Sequence, residues 1–233
     1  MKKILLLVLF TASNCFAGQF LTSKVLRGYH LNEGTGIYTY DVSGIDDLAL
    51  TNTAWVSGFY GFGLYFNGTN AMAYKDTNVF DATYLWIHLF RKSDSTNITY
   101  PMIMAMGEGG YNEMDVQSAY GAGTLGEISV DSNVGGWGTS ITTHGTNYND
   151  NKWHCIDITR NGSWVKIYVD GILKASGNSG KTISSIDKIT LGSRWGGTYA
   201  DKETLDDVFI ILRCPSDSEV LSNSIIGRRS GGE

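Results

Sequence analysis

The sequence predicts an all-β fold, a two-sheet antiparallel β-sandwich, on three observations. Short runs that are apolar throughout or alternate at period two recur along the chain. Clusters of Gly, Asn, Asp and Ser separate them, with 29 Gly against two Pro in 233 residues. Beyond the first 17 residues no long helical period appears. A chain of this length suits a single domain and buries enough surface to fold without disulfide staples.

The clearest local signal is "GSWVKIYVDGILKASG", residues 162–177. Val165, Ile167 and Val169 alternate with Trp164, Lys166 and Tyr168, which gives a strand one buried face. Asp170-Gly171 then breaks the run, as expected of a tight hairpin whose two central residues need positive φ. The other strand candidates are 48–56, 63–68, 84–92, 102–107, 113–121, 127–132, 140–144, 153–160, 188–193 and 206–213. About a dozen short strands with glycine-rich turns describe a sandwich or jelly roll. One helix is expected, in "SDSEVLSNSI", with Ser216 as N-cap and Glu219 three residues on.

Residues 1–17 read as a secretory signal: a Lys2-Lys3 start, a short apolar core and small residues up to Ala17. The apolar run is too short for a comfortable membrane span. Residues 18–227 then form the domain and 228–233 a flexible tail, so the protein is expected to be secreted, cell-surface, periplasmic or virion-associated. Net charge is −5, which gives no electrostatic footprint for nucleic acid. Beyond Cys15 the chain holds only Cys155 and Cys214, which are either one disulfide or two small buried hydrophobes.

The order of these signals resembles the laminin G-like branch of the concanavalin A-like lectin/glucanase superfamily. "LRGYHLNEGTGIYTYDVSG" is similar to its opening strand and turns, and "WVSGFYGFGLYFNGTNAMAY" to its Gly-x-x-Gly-x-x-Leu-x-Phe-x-Gly segment. "YLWIHLFRK", "KWHCIDITRNGSWVKIYVDG", "DKITLGS" and "TLDDVFIILRCPSDSEV" follow in the family's order. The resemblance covers about residues 25–225 and implies a concanavalin A-like jelly roll.

Several residues are candidates for chemistry. Period two places Glu113, Asp115 and Gln117 on one strand face. Related glucanases carry Glu-x-Asp-x-Glu there, but Gln117 cannot protonate a leaving group. Catalysis is therefore not expected, and a degenerate or active glucanase-like hydrolase is the third reading. Tyr84, Trp86 and His88 share a face of "YLWIHLF", as either a strand buried on both sides or an aromatic platform for sugar rings. The resemblance implies that this strand lies in the concave sheet. Trp137 and Trp195 sit in glycine-rich loops, either as rim contacts or as caps on an open end of the sandwich.

The resemblance also implies a structural Ca²⁺ held by Asp206, with Asp41 as a second oxygen donor. Alternatively Asp41 caps a turn and Asp206 faces water. The leading expectation is an exported carbohydrate- or glycan-binding module. The alternative is a structural or adhesive protein of a cell surface or virion that contacts surface proteins. One fold hosts both. Weak sugar sites gain from repetition, so a homo-oligomer or assembly subunit is the expected context.

Overall fold

The computed structural model describes residues 25–97, 99–107, 111–119 and 124–230. The expected signal segment, residues 1–17, lies outside the described residues. Among the described residues sixteen strands form two antiparallel sheets. They are β1 (Val25–Tyr29), β2 (Tyr38–Thr39), β3 (Leu48–Thr51), β4 (Thr53–Ser57), β5 (Phe62–Asn67), β6 (Met72–Phe80), β7 (Tyr84–Ser93) and β8 (Met102–Met106). There follow β9 (Tyr111–Gln117), β10 (Ser129–Val134), β11 (Ile141–Thr142), β12 (Trp153–Asn161), β13 (Trp164–Val169), β14 (Ile172–Asn178), β15 (Ile186–Leu191) and β16 (Lys202–Ile211).

The first sheet runs β14-β13-β12-β7-β16-β5-β4, with β1 also paired to β16. The second runs β11-β10-β9-β8-β15-β6-β3-β2. Leu85, Ile87 and Leu89 of β7 face Met114 and Val116 of β9, Ile189 of β15 and their neighbours in one continuous core. This is the alternation that period two demands of a strand with an inner and an outer face.

The predicted hairpin is present. Asp170 (φ 56°) and Gly171 (φ 76°) both take positive φ, and Val169 pairs with Ile172 across the turn. Asp170 also ties the turn to β12, accepting from the Cys155 N–H at 3.1 Å and meeting His154 at 2.9 Å. Burial draws the His154 proton affinity down, but Asp170 and Asp150 outweigh it and hold the imidazole above its ordinary value.

Two expectations need correction. The single strand expected at 48–56 is two strands in different sheets, because Asn52 turns the chain at φ 53°. The helix expected after Ser216 runs through Asp217–Ser230, here α1, and takes in residues 228–230 of the expected tail. Ser216 caps it as foreseen, its Oγ accepting from the Glu219 N–H at 3.3 Å. Residues 231–233 lie outside the described residues. Cys155 and Cys214 are free thiols, one buried and one exposed. No helix among the described residues is long and apolar enough to cross a membrane.

Candidate functional site

The outer face of the second sheet carries a cleft of about 300 Å³. Its floor comes from the register of β9 and β10, in which Asp115 lies directly opposite Asp131 and Gln117 opposite Ser129. Met114, Val116 and Val130 point into the core, so their polar neighbours point out. Met102, Ser140, Arg194 and Tyr199 complete the wall, with Trp137 and Tyr100 at the rim.

The walls are held by strained or glycine-rich backbone. The loop after β10 folds back through Gly135 (φ 61°) and Gly136 (φ 133°), which leaves Trp137 51% exposed. Tyr100 and Tyr199 both adopt positive φ, at 51° and 54°, a conformation bulky residues rarely take. Their rings meet edge to face at 5.8 Å. The Tyr199 carbonyl accepts from the Met102 N–H at 2.8 Å, which pins the two turns together.

Arg194 organises the polar groups. It donates through Nε and Nη2 to both oxygens of Glu113, at 2.6 and 2.5 Å, and its guanidinium lies 5.5 Å from the Trp137 ring centroid. Asp115 receives less, since Arg194 Nε stands 3.8 Å away and the neighbouring Glu113 carboxyl is its hydrogen-bonding partner. Burial, with the charge of Glu113 beside it, pushes the Asp115 carboxyl well above the usual carboxylate range. Burial also raises Asp131, although Ser140 and Gln117 counter it. Gln117 donates through Nε2 to Asp131 at 2.8 Å, and its own Oε1 accepts nothing.

The structure therefore brings Asp115, Gln117 and Trp137 together and places Glu113 next to them as the anchor of Arg194. Trp195 is not among the cleft-lining residues, and its ring lies under the Lys188 ammonium at 4.5 Å. Tyr84, Trp86 and His88 belong to β7, in the other sheet, so they do not share a face with Glu113 and Asp115. Trp86 and His88 are fully buried. Trp86 packs with Tyr168, Phe209, Ile211 and Val220 of α1, and both Trp86 and His88 meet Asp157 at 2.8 Å. Cys155 joins this sealed network through Asp157, at 3.3 Å. Tyr84 is exposed at the end of the strand.

The calcium pair does not fit its surroundings. Asp41 accepts from the N–H groups of Gly28, Ser43 and Asp46 and from the Ser43 hydroxyl, as a turn-fixing carboxylate does. Asp206 is buried and accepts from the N–H groups of Tyr60 and Asp207, at 2.7 and 2.8 Å. Both are ringed by donors, where calcium would need acceptors.

Sequence reasoning missed Arg194, Asp131, Ser140, Tyr100 and Tyr199. Asp131 had a signal, because Ser129, Asp131 and Asn133 alternate with apolar Val130 in β10. The tyrosines had none, since nothing local announces a positive φ at Tyr.

A family model of the concanavalin A-like lectin/glucanases superfamily matches residues 66–221. Domain 4 of AbnA, an extracellular arabinanase from Geobacillus stearothermophilus determined with arabinotriose, superposes with TM-score 0.67 at 17% identity. That match covers 86% of this chain and 98% of the domain. The binding domain of Paraclostridial mosquitocidal protein 1 gives TM-score 0.68 at 15% identity, over 86% of this chain and 52% of that one. The botulinum neurotoxin serotype G binding domain gives 0.67 at 17%, over 87% and 51%. This chain thus spans about half of each toxin domain. No curated protein matches it in sequence.

Proposed function

The chain belongs to the concanavalin A-like lectin/glucanases superfamily, and from that premise we propose that it is a non-catalytic module binding glycan in the second-sheet cleft. One observation carries this reading. Buried Oε1 of Gln117 and Oδ1 of Asp131 lack donors, beside Asp115, in a cleft rimmed by Trp137, Tyr100 and Tyr199. Sugars supply what is missing, hydroxyl donors for the oxygens and C–H faces for the rings. The arabinotriose complex of the AbnA domain is consistent with sugar binding on this architecture. Hydrolysis is disfavoured because Arg194 engages both oxygens of Glu113 and the residue four positions on is Gln117, which has no proton to give. Export is part of the same reading, since glycans of this kind lie outside the cell.

A second reading, contact with a surface protein, draws on the exposed Ile37, Tyr38, Tyr40, Val42 and Ile45 of one segment. A glycan array separates the two. The wild-type chain is expected to bind a coherent set of glycans, and Trp137→Ala to bind them about tenfold more weakly. A blank array from folded protein rejects the glycan reading and directs attention to residues 37–45.

A further inference from the structure

Strand period two gathers a second set of polar side chains on the first sheet, away from the cleft. Ile156 and Ile158 of β12 point into the core, so Cys155 and Asp157 share the outer face. Register places His88 of β7 directly opposite Asp157. All three side chains are buried, and His88 meets the rings of Trp86, Phe90 and Phe209. From α1 the buried Ser224 side chain lies against Cys155.

A nitrogen, a sulfur and a carboxylate converge here, each within 4.8 Å of the others. His88 Nδ1 lies 2.8 Å from Asp157 Oδ1 and 3.8 Å from Cys155 Sγ, which in turn lies 3.3 Å from Asp157 Oδ2. Zinc bonds of about 2.0–2.3 Å at tetrahedral angles set such atoms about 3.3–3.6 Å apart. Both sulfur distances already match to within a few tenths of an ångström. The nitrogen–oxygen pair needs to open by only about 0.5 Å once no hydrogen bridges it. Charge is an independent pointer. Asp157 is fully buried, and among the described residues no Lys or Arg pairs with it. A carboxylate in that position is costly without a cation.

We propose that His88 Nδ1, Cys155 Sγ and a carboxylate oxygen of Asp157 hold a transition-metal ion of the zinc class. A mixed imidazole, thiolate and carboxylate set selects this class over calcium and magnesium, which take oxygen ligands. The thiol proton leaves for solvent as the ion binds, and His88 carries its proton on Nε2. Thiolate and carboxylate then cancel a double positive charge in apolar surroundings. The Trp86 indole N–H, 2.8 Å from Asp157 Oδ1, fixes the carboxylate from outside the set, and the Ser224 hydroxyl or a water fills the fourth position. The ion clasps β7 to β12 beneath α1 and enters as the chain folds, since the finished site is buried. This inference goes beyond glycan binding and does not rest on it.

The test unfolds the full chain with a chelator, refolds it with zinc, with cobalt(II) or without metal, and removes free ions by gel filtration. Wild type is expected to retain about one equivalent of either metal. Its zinc form should melt about 5 °C or more above the metal-free form. The cobalt form should show a thiolate-to-metal charge-transfer band beside the intense visible bands of a tetrahedral site. Cys155→Ala, with refolding checked by circular dichroism, is expected to lose the metal and the Tm difference. The double variant Cys15→Ser, Cys214→Ser leaves Cys155 as the sole thiol of three and is expected to keep both. This second variant decides the matter even if Cys155→Ala does not fold. Folded wild type without retained metal, cobalt retained without the charge-transfer band, or loss of that band in the double variant overturns the assignment.

Discussion

Glu113 and Asp115 stand two residues apart on β9 and differ in what surrounds them. The fork of Arg194 matches one carboxylate and satisfies Glu113, while Asp115 is buried beside the Glu113 carboxyl, its hydrogen-bonding partner. Nothing in "EMDVQ" distinguishes them, because the distinction comes from a residue 81 positions away in sequence from Glu113. Asp206 shows the opposite economy, a buried carboxyl served by backbone N–H groups yet still raised to about 8. Desolvation and the neighbouring Asp207 charge outweigh those bonds. Its proton is held more tightly in the folded chain than in the unfolded one. The resulting stability is fully present below about pH 4 and is lost as pH rises through about 8. Thermal melts of wild type should therefore decline across that window relative to Asp206→Asn. Parallel curves for the two proteins would contradict the assignment.

On the outer face of the first sheet α1 covers Trp86 through Val220, and this decides the role of β7. A strand with apolar residues on both faces was legible from "YLWIHLF", and both faces are indeed buried along most of its length. What covers the outer face was not legible, because the cover is a helix distant in sequence whose Val220 reaches Trp86. The hairpin at Asp170-Gly171, the N-cap at Ser216 and most strands were readable because each rests on local chemistry. The polar-rich β6 was missed, its residues being largely half-exposed and weakly patterned. The site divides in the same way: Asp115, Gln117 and Trp137 follow from strand period and loop composition, whereas Arg194 and the strained tyrosines depend on the assembled fold. Trp86→Phe tests the element directly. Losing the indole donor removes one of the two hydrogen bonds to Oδ1 of buried Asp157, leaving His88, and should cost about 1–2 kcal/mol by chemical denaturation. Glycan affinity should not change, and a fall in affinity with stability intact would return Trp86 to the binding site.

At the scale of the whole molecule, the proposed glycan cleft lies on the second sheet, whereas the aromatic strand β7 lies in the first. On the first sheet Val220 of α1 covers Trp86 and Phe59 stacks on Phe90 at 4.2 Å, while the second sheet carries a polar, aromatic-rimmed cleft. A module with one such cleft gains strength by repetition rather than by depth, as weak sugar sites do. The account therefore requires that affinity reside on the second sheet. The most direct measurement is calorimetric titration of the best array glycan into wild type, Trp137→Ala and Tyr84→Ala, which replace exposed side chains in the loop after β10 of the second sheet and on β7 of the first. The account predicts that Trp137→Ala weakens binding about tenfold and that Tyr84→Ala binds as wild type does. Loss of binding in Tyr84→Ala, with Trp137→Ala unchanged, would contradict it.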